Sequence, residues 1–127
     1  MSRLLAITFA AFVALTGTAM AKDFNYISSF STSDNVEVSG VETAAEIVAA
    51  TEDGKMLIYS DSPMFSIGMI NIADANNPEP LGFIQVSGEP TSVSVKNGLA
   101  YVGINTSENY VNPSGKLIVI DLETKRV

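Results

Sequence analysis

No cysteine and no histidine occurs in the 127 residues, and cations are scarce: seven Lys and Arg stand against fourteen Asp and Glu, a formal charge of −7. Each shortage excludes something. Without cysteine no disulfide can staple the chain and no lipid can be attached at an N-terminal cysteine, so a hydrophobic core has to hold the fold. Without histidine the commonest general base and the commonest metal ligand are missing. With cysteine missing as well, ordinary zinc sites and haem ligation through His or Cys have no residues to build on. The acidic balance leaves no electrostatic footprint for DNA or RNA or for anionic lipid, and it suits solubility outside the cell. No glycine-rich phosphate cradle and no heptad pattern is present. Ser60 and Ser62 have neither a nucleophile-elbow context nor a histidine to activate them.

What is present begins with a three-part N-terminus. Arg3 supplies a positive end, residues 4–15 form an apolar run interrupted only by Thr8, and Thr16-Gly17-Thr18 breaks the helix ahead of Ala19-Met20-Ala21. Small residues at 19 and 21 fit a signal peptidase, which predicts cleavage after Ala21 and a periplasmic or extracellular protein. The apolar run is shorter than the roughly 20 residues of a membrane span. The mature chain begins at Lys22 and keeps all fourteen acids.

From there the chain reads as successive short strands, with runs of Val, Ile, Leu, Tyr and Phe separated by turn formers. A first run, 24–30, carries aromatic residues at alternate positions, and 31–40 is polar loop. Strands are expected at 46–51, 56–60, 67–72 and 81–86, then at 91–95, 99–104 and 117–122. Glu52-Asp53-Gly54-Lys55 makes a tight turn between the first two. Asn97-Gly98 is the strongest short hairpin signal, since both central residues of a type I′ turn need positive φ. Ala73 to Pro80 is dense in Asp, Asn and Pro. Ile47, Val48, Leu57, Ile58, Ile70, Ile72, Phe83 and Ile84 are the expected core of the first unit, adjacent pairs serving the two faces of a sheet.

The pattern repeats. Ala45-Glu46-Ile47-Val48 corresponds to Pro90-Thr91-Ser92-Val93, an offset of 45, and Ile70-Asn71-Ile72 to Ile120-Asp121-Leu122, an offset of 50. A period of about 40–50 residues with four strands per unit is that of a β-propeller blade. A β-sandwich has similar strand spacing but gives no reason for a unit to recur. The expected organisation is a signal peptide at 1–21, an N-terminal strand and linker at 22–45, a first blade at 46–88 and an incomplete second blade at 89–127. Two blades cannot close a ring of about 4–8, so this stretch is expected to be the N-terminal piece of a longer protein and not to fold alone.

Three motifs carry a family resemblance. Ala44-Ala45-Glu46-Ile47-Val48 before a Gly-containing turn resembles the first blade of secreted bacterial propellers with a choice-of-anchor I domain. Ile70-Asn71-Ile72-Ala73-Asp74-Ala75-Asn76-Asn77-Pro78 resembles the LVIVD repeat. Leu99-Ala100-Tyr101-Val102-Gly103-Ile104-Asn105, with Val119-Ile120-Asp121-Leu122-Glu123-Thr124 further on, is similar to the YVTN repeat of surface-layer propellers, departing from it at Gly103-Ile104 and in an inserted loop. The resemblance implies blade architecture and is almost silent about activity, because propellers host many unrelated functions.

Three carboxylates are candidates for a ligand or cation. Glu46 is flanked by apolar residues on a strand and points either into a central channel or to solvent. Asp61 sits in Tyr59-Ser60-Asp61-Ser62-Pro63, at a strand end where propellers place functional loops. Asp74, with Asn76 and Asn77, offers the oxygen ligands that calcium prefers, yet it lacks the spacing and closing Glu of a calcium loop, and such residues also cap turns. Asn105-Thr106-Ser107 fits an N-glycosylation acceptor, although the signal peptide and the repeat both look bacterial. No catalytic or cofactor-binding residue is assigned. The expected function is an exported binding domain for a protein, glycan or small ligand. The alternative is the N-terminal part of a secreted metal-dependent phosphoesterase, in which carboxylates from several blades gather calcium around a phosphate.

Overall fold

The computed structural model describes residues 25–37 and 40–127. The expected signal peptide, with Ala19 and Ala21, lies outside the described residues. The described chain is all-β, apart from one turn of 3-10 helix over Thr32–Asn35. Seven strands follow: β1 Val48–Ala50, β2 Met56–Asp61, β3 Ser66–Asn71, β4 Glu79–Gln85, β5 Glu89–Lys96, β6 Leu99–Asn105 and β7 Gly115–Asp121. They form two antiparallel meanders, β1-β2-β3-β4 and β5-β6-β7, packed face to face.

The turns are those the sequence demands. Asn97 and Gly98 both have positive φ, 52° and 73°, the backbone of a type I′ hairpin whose twist matches its strands. In the first hairpin Gly54 takes the positive φ, and the Asp53 carboxylate accepts the Thr51 hydroxyl at 2.7 Å and the Lys55 N–H at 3.1 Å. Two prolines inside strands sit where a missing N–H is tolerated: Pro80 on the outer strand β4 and Pro90 at the register shift between β5 and β6. Asn25 to Phe30, where a strand is expected, has no strand pairing; Phe24 lies outside the described residues.

The two sheets are built in one register. Val48 pairs with Tyr59 and Leu57 with Ile70 in the first; Val93 pairs with Val102 and Ala100 with Ile120 in the second. The corner contacts match as well: the Ile72 N–H bonds the Lys55 carbonyl, and the Leu122 N–H bonds the Gly98 carbonyl. Arg126 bridges Asp121 as Glu79 pairs with Asn71. The sequence offsets of 45 and 50 therefore recur as register offsets from β1 to β5 and from β3 to β7, with 43 from β2 to β6.

The core lies between the sheets. Ile58, Ile67 and Met69 of the first meet Val93, Ala100, Val102, Ile104 and Ile120 of the second, with Ala49, Leu81, Ile84 and Ile118 half-buried around them. β5 lies across β1, β2 and β3. Because side chains alternate along a strand, Val48, Leu57, Tyr59, Ile70 and Phe83 share the opposite, outer face of the first sheet. There the expected core needs correction: Ile58 and Ile70 are buried, but Val48 is 60% exposed, Ile47 and Phe83 are also exposed, and Leu57, Ile72 and Ile84 are half-buried. Only part of the outer face is covered, by the segment that precedes β1. Its Asn35 is buried and makes three hydrogen bonds, donating to the Tyr59 hydroxyl (2.8 Å) and the Met69 carbonyl (3.0 Å) and accepting the Gly82 N–H (2.9 Å).

Candidate functional site

Antiparallel pairing sorts the loops into two ends. Turns 51–55 and 97–98, loop 72–78 and the corner after Asp121 lie together. At the other end are corner 62–65, the crossover 86–88, loop 106–114 and the segment entering β1. Glu46 and Asp61 therefore share one end, and Asp74 lies at the other.

At the first of these ends the two sheets are clamped electrostatically. The Lys96 ammonium donates to the Glu52 carboxylate, which also accepts the Asn97 N–H at 2.9 Å. The Lys96 hydrogen bond, then that from Asn97, holds the Glu52 carboxyl below its usual range. The same contact raises Lys96. Asp121 is lowered by hydrogen bonds from the Thr124 N–H and hydroxyl, which cap its corner. Asp74 likewise serves its turn, accepting the Asn76 N–H at 3.0 Å. Its acceptor oxygen is engaged by backbone, as capping chemistry predicts.

At the opposite end Asp61 is buried and accepts the Thr43 hydroxyl and, at 3.2 Å, the Met64 N–H. It ties the N-terminal segment to the β2–β3 corner, a structural task for a carboxylate singled out as a ligand candidate. Glu46 is exposed and accepts the Ser62 hydroxyl, whose oxygen also lies 3.2 Å from the Pro90 carbonyl. Among the described residues no three Asp or Glu are grouped to hold a metal. The Ser66 hydroxyl, opposite Asp61 across the β2–β3 pair, is buried without a partner among the described residues, an uncommon state for a buried polar group.

Beside them the long β6–β7 loop helps form a cleft of about 410 Å³ lined by Glu89, Asn105, Glu108, Tyr110 and Pro113. The loop is braced from within. The Thr106 N–H bonds the Ser114 carbonyl, Ser107 bonds Ser114 in both directions, and Asn109 accepts the N–H groups of Val111 and Asn112 at 2.9 Å. This bracing holds Tyr110 wholly exposed and Val111 83% exposed at the tip. Sequence reasoning passed over Glu89 and Tyr110: Glu89 reads as a residue leading out of a strand, and an insertion carries no periodic signal. No helix among the described residues is long and apolar enough to cross a membrane.

The chain matches no family model, no curated protein and no solved structure.

Proposed function

We propose that these sheets are two neighbouring blades of an exported β-propeller, of the choice-of-anchor I, LVIVD and YVTN kind, that binds its partner through the loops at the Glu46 end. The observation that carries this is the direction of packing. Aligned by register, the inner face of the second sheet (Val93, Ala100, Val102, Ile120) corresponds to the outer face of the first (Val48, Leu57, Tyr59, Ile70). The sheets thus meet head to tail rather than like face to like face. A head-to-tail contact leaves one complementary face unused at each end, and repetition closes it into a ring when the rotation allows.

The unused face has the right chemistry. Ile58, Ile67 and Met69, buried in the first sheet, correspond to Tyr101, Leu117 and Val119 in the second, and there Leu117 is 67% exposed and Val119 is also exposed. A finished sandwich turns polar residues outward on such a face. The meander order also fits a blade, whereas immunoglobulin-type sandwiches use Greek-key connections. The partially open outer face of the first sheet, with its unpartnered Ser66, awaits the other neighbour.

The test is Leu117→Ala in the full-length exported protein. Under a further blade the truncation costs about 2–5 kcal/mol. On a solvated face it stays within about 0.5 kcal/mol, and that result would remove the ring.

A further inference from the structure

From the cleft beside Glu89 we infer a binding site for a neutral or amino sugar, stacked on Tyr110 and held by the carboxylates of Glu89 and Glu108. The inference rests on the proposal that this end of the sheets is the binding end, and it adds the ligand class.

Three properties of the cleft select that chemistry. First, it joins an aromatic wall to polar groups. A pyranose presents a face of C–H groups that packs on an aromatic ring, and its hydroxyls donate to carboxylate oxygens in charge-assisted hydrogen bonds. Tyr110 and Pro113 offer the apolar side, and Glu89, Asn105 and Glu108 offer the polar one. Second, the polar groups are set in advance. Asn105 Nδ2 donates to Glu89 Oε2 at 3.1 Å, and Asn105 Oδ1 accepts the Ser107 N–H at 3.0 Å. The Asn105 amide is thereby fixed, and Glu89 Oε1 is left for a ligand hydroxyl. The brace at Asn109 fixes the tip, so little loop ordering opposes binding. Third, the charge is of one sign. Among the described residues no Lys or Arg lines the cleft, and the neighbouring Lys116 ammonium is engaged with the Ser87 hydroxyl at 2.6 Å. Two carboxylates repel phosphate, sulfate and uronic acids, and they favour a neutral sugar or one bearing an ammonium group. A volume of about 410 Å³ lies at the small end of the ligand-site range.

Tyr110 makes no hydrogen bond among the described residues and is wholly exposed, so its truncation leaves the fold intact. The experiment is saturation-transfer NMR on the full-length exported protein, with glucose, galactose, mannose, glucosamine and N-acetylglucosamine, and their short oligomers, at millimolar concentration. At least one of them should bind saturably, with transfer from a tyrosine ring. Tyr110→Ala should weaken it by about tenfold or more at an unchanged melting temperature, and Glu89→Gln should weaken it further in the double variant. Absence of saturable binding would overturn the inference. So would binding indifferent to Tyr110→Ala, or tighter binding of glucose 6-sulfate added to the same panel. Leu117→Ala reports separately on the ring: a destabilised variant with no sugar bound sinks the ligand class alone, and a neutral variant that binds sugar sinks the ring alone.

Discussion

Gly68 stands mid-strand in β3, directly across from Tyr59 on the outer face of the first sheet. A Cβ built there would lie 2.0 Å from Tyr59 Cζ and 2.4 Å from Cε1, where carbon atoms normally stay about 3.5–4.0 Å apart. The ring cannot simply swing aside, since it is 1% exposed and its hydroxyl accepts the Asn35 amide at 2.8 Å. For Gly68→Ala, overpacking contributes about 1–3 kcal/mol. A strained or lost Asn35 hydrogen bond adds about 1 kcal/mol, and reduced freedom of the unfolded chain returns about 0.4–1 kcal/mol. The net loss is about 1–3.6 kcal/mol, read from urea titrations at unchanged m. Gly103→Ala is the control. Its Cβ meets only the rotatable end of Ser92, the hydroxyl at 2.6 Å, rather than a pinned ring, so it should cost clearly less than Gly68→Ala. In a Tyr59→Ala background, Gly68→Ala should cost nothing. A neutral Gly68→Ala in the wild type, or an undiminished cost in that background, would refute the packing argument.

Asn35→Ala strands the Gly82 N–H and the Met69 carbonyl on the outer face, and should destabilise by about 2–4 kcal/mol. Hydrogen exchange should then show protection lost around Thr32–Asn35, and unchanged protection would mean that Asn35 does not anchor the segment. For Glu52 the sign follows from its lowered folded value. Its contribution is present above pH 4.5, the unperturbed value, and is lost as pH falls through the lower folded one. Glu52→Gln should therefore flatten the acid side of the melting-temperature profile and leave the protein less sensitive to salt at neutral pH; an unchanged acid limb would remove the clamp.

Much of the fold was legible. Asn97-Gly98 announced its own turn, and the two repeat offsets recur as register offsets from β1 to β5 and from β3 to β7, because pairing and sequence alternation obey the same period of two. Which face of each sheet is covered was not legible. Val48 and Phe83 are as apolar as Ile58, and their exposure depends on a neighbouring sheet rather than on their own sequence. Asn35 lies in a polar stretch indistinguishable from loop, and its partners are 24 to 47 residues away. Of the candidate carboxylates, Asp74 was legible as a turn cap, whereas the structural task of Asp61 was not. Asp61 is consumed by Thr43 and Met64 and Asp74 by its own turn, while Glu46 is exposed at the same end as Asp61 and accepts the Ser62 hydroxyl. The tie from Thr43 to Asp61 spans 18 residues and has no local signature.

The central claim is that the two sheets are successive members of a head-to-tail series. A crystal or electron cryo-microscopy structure of the proposed propeller tests it most directly. It should show Tyr101, Leu117 and Val119 buried under a further four-stranded meander that presents the equivalents of Val93, Val102 and Ile120, in a closed ring. A full-length protein in which those three side chains face water on a two-sheet sandwich would contradict it.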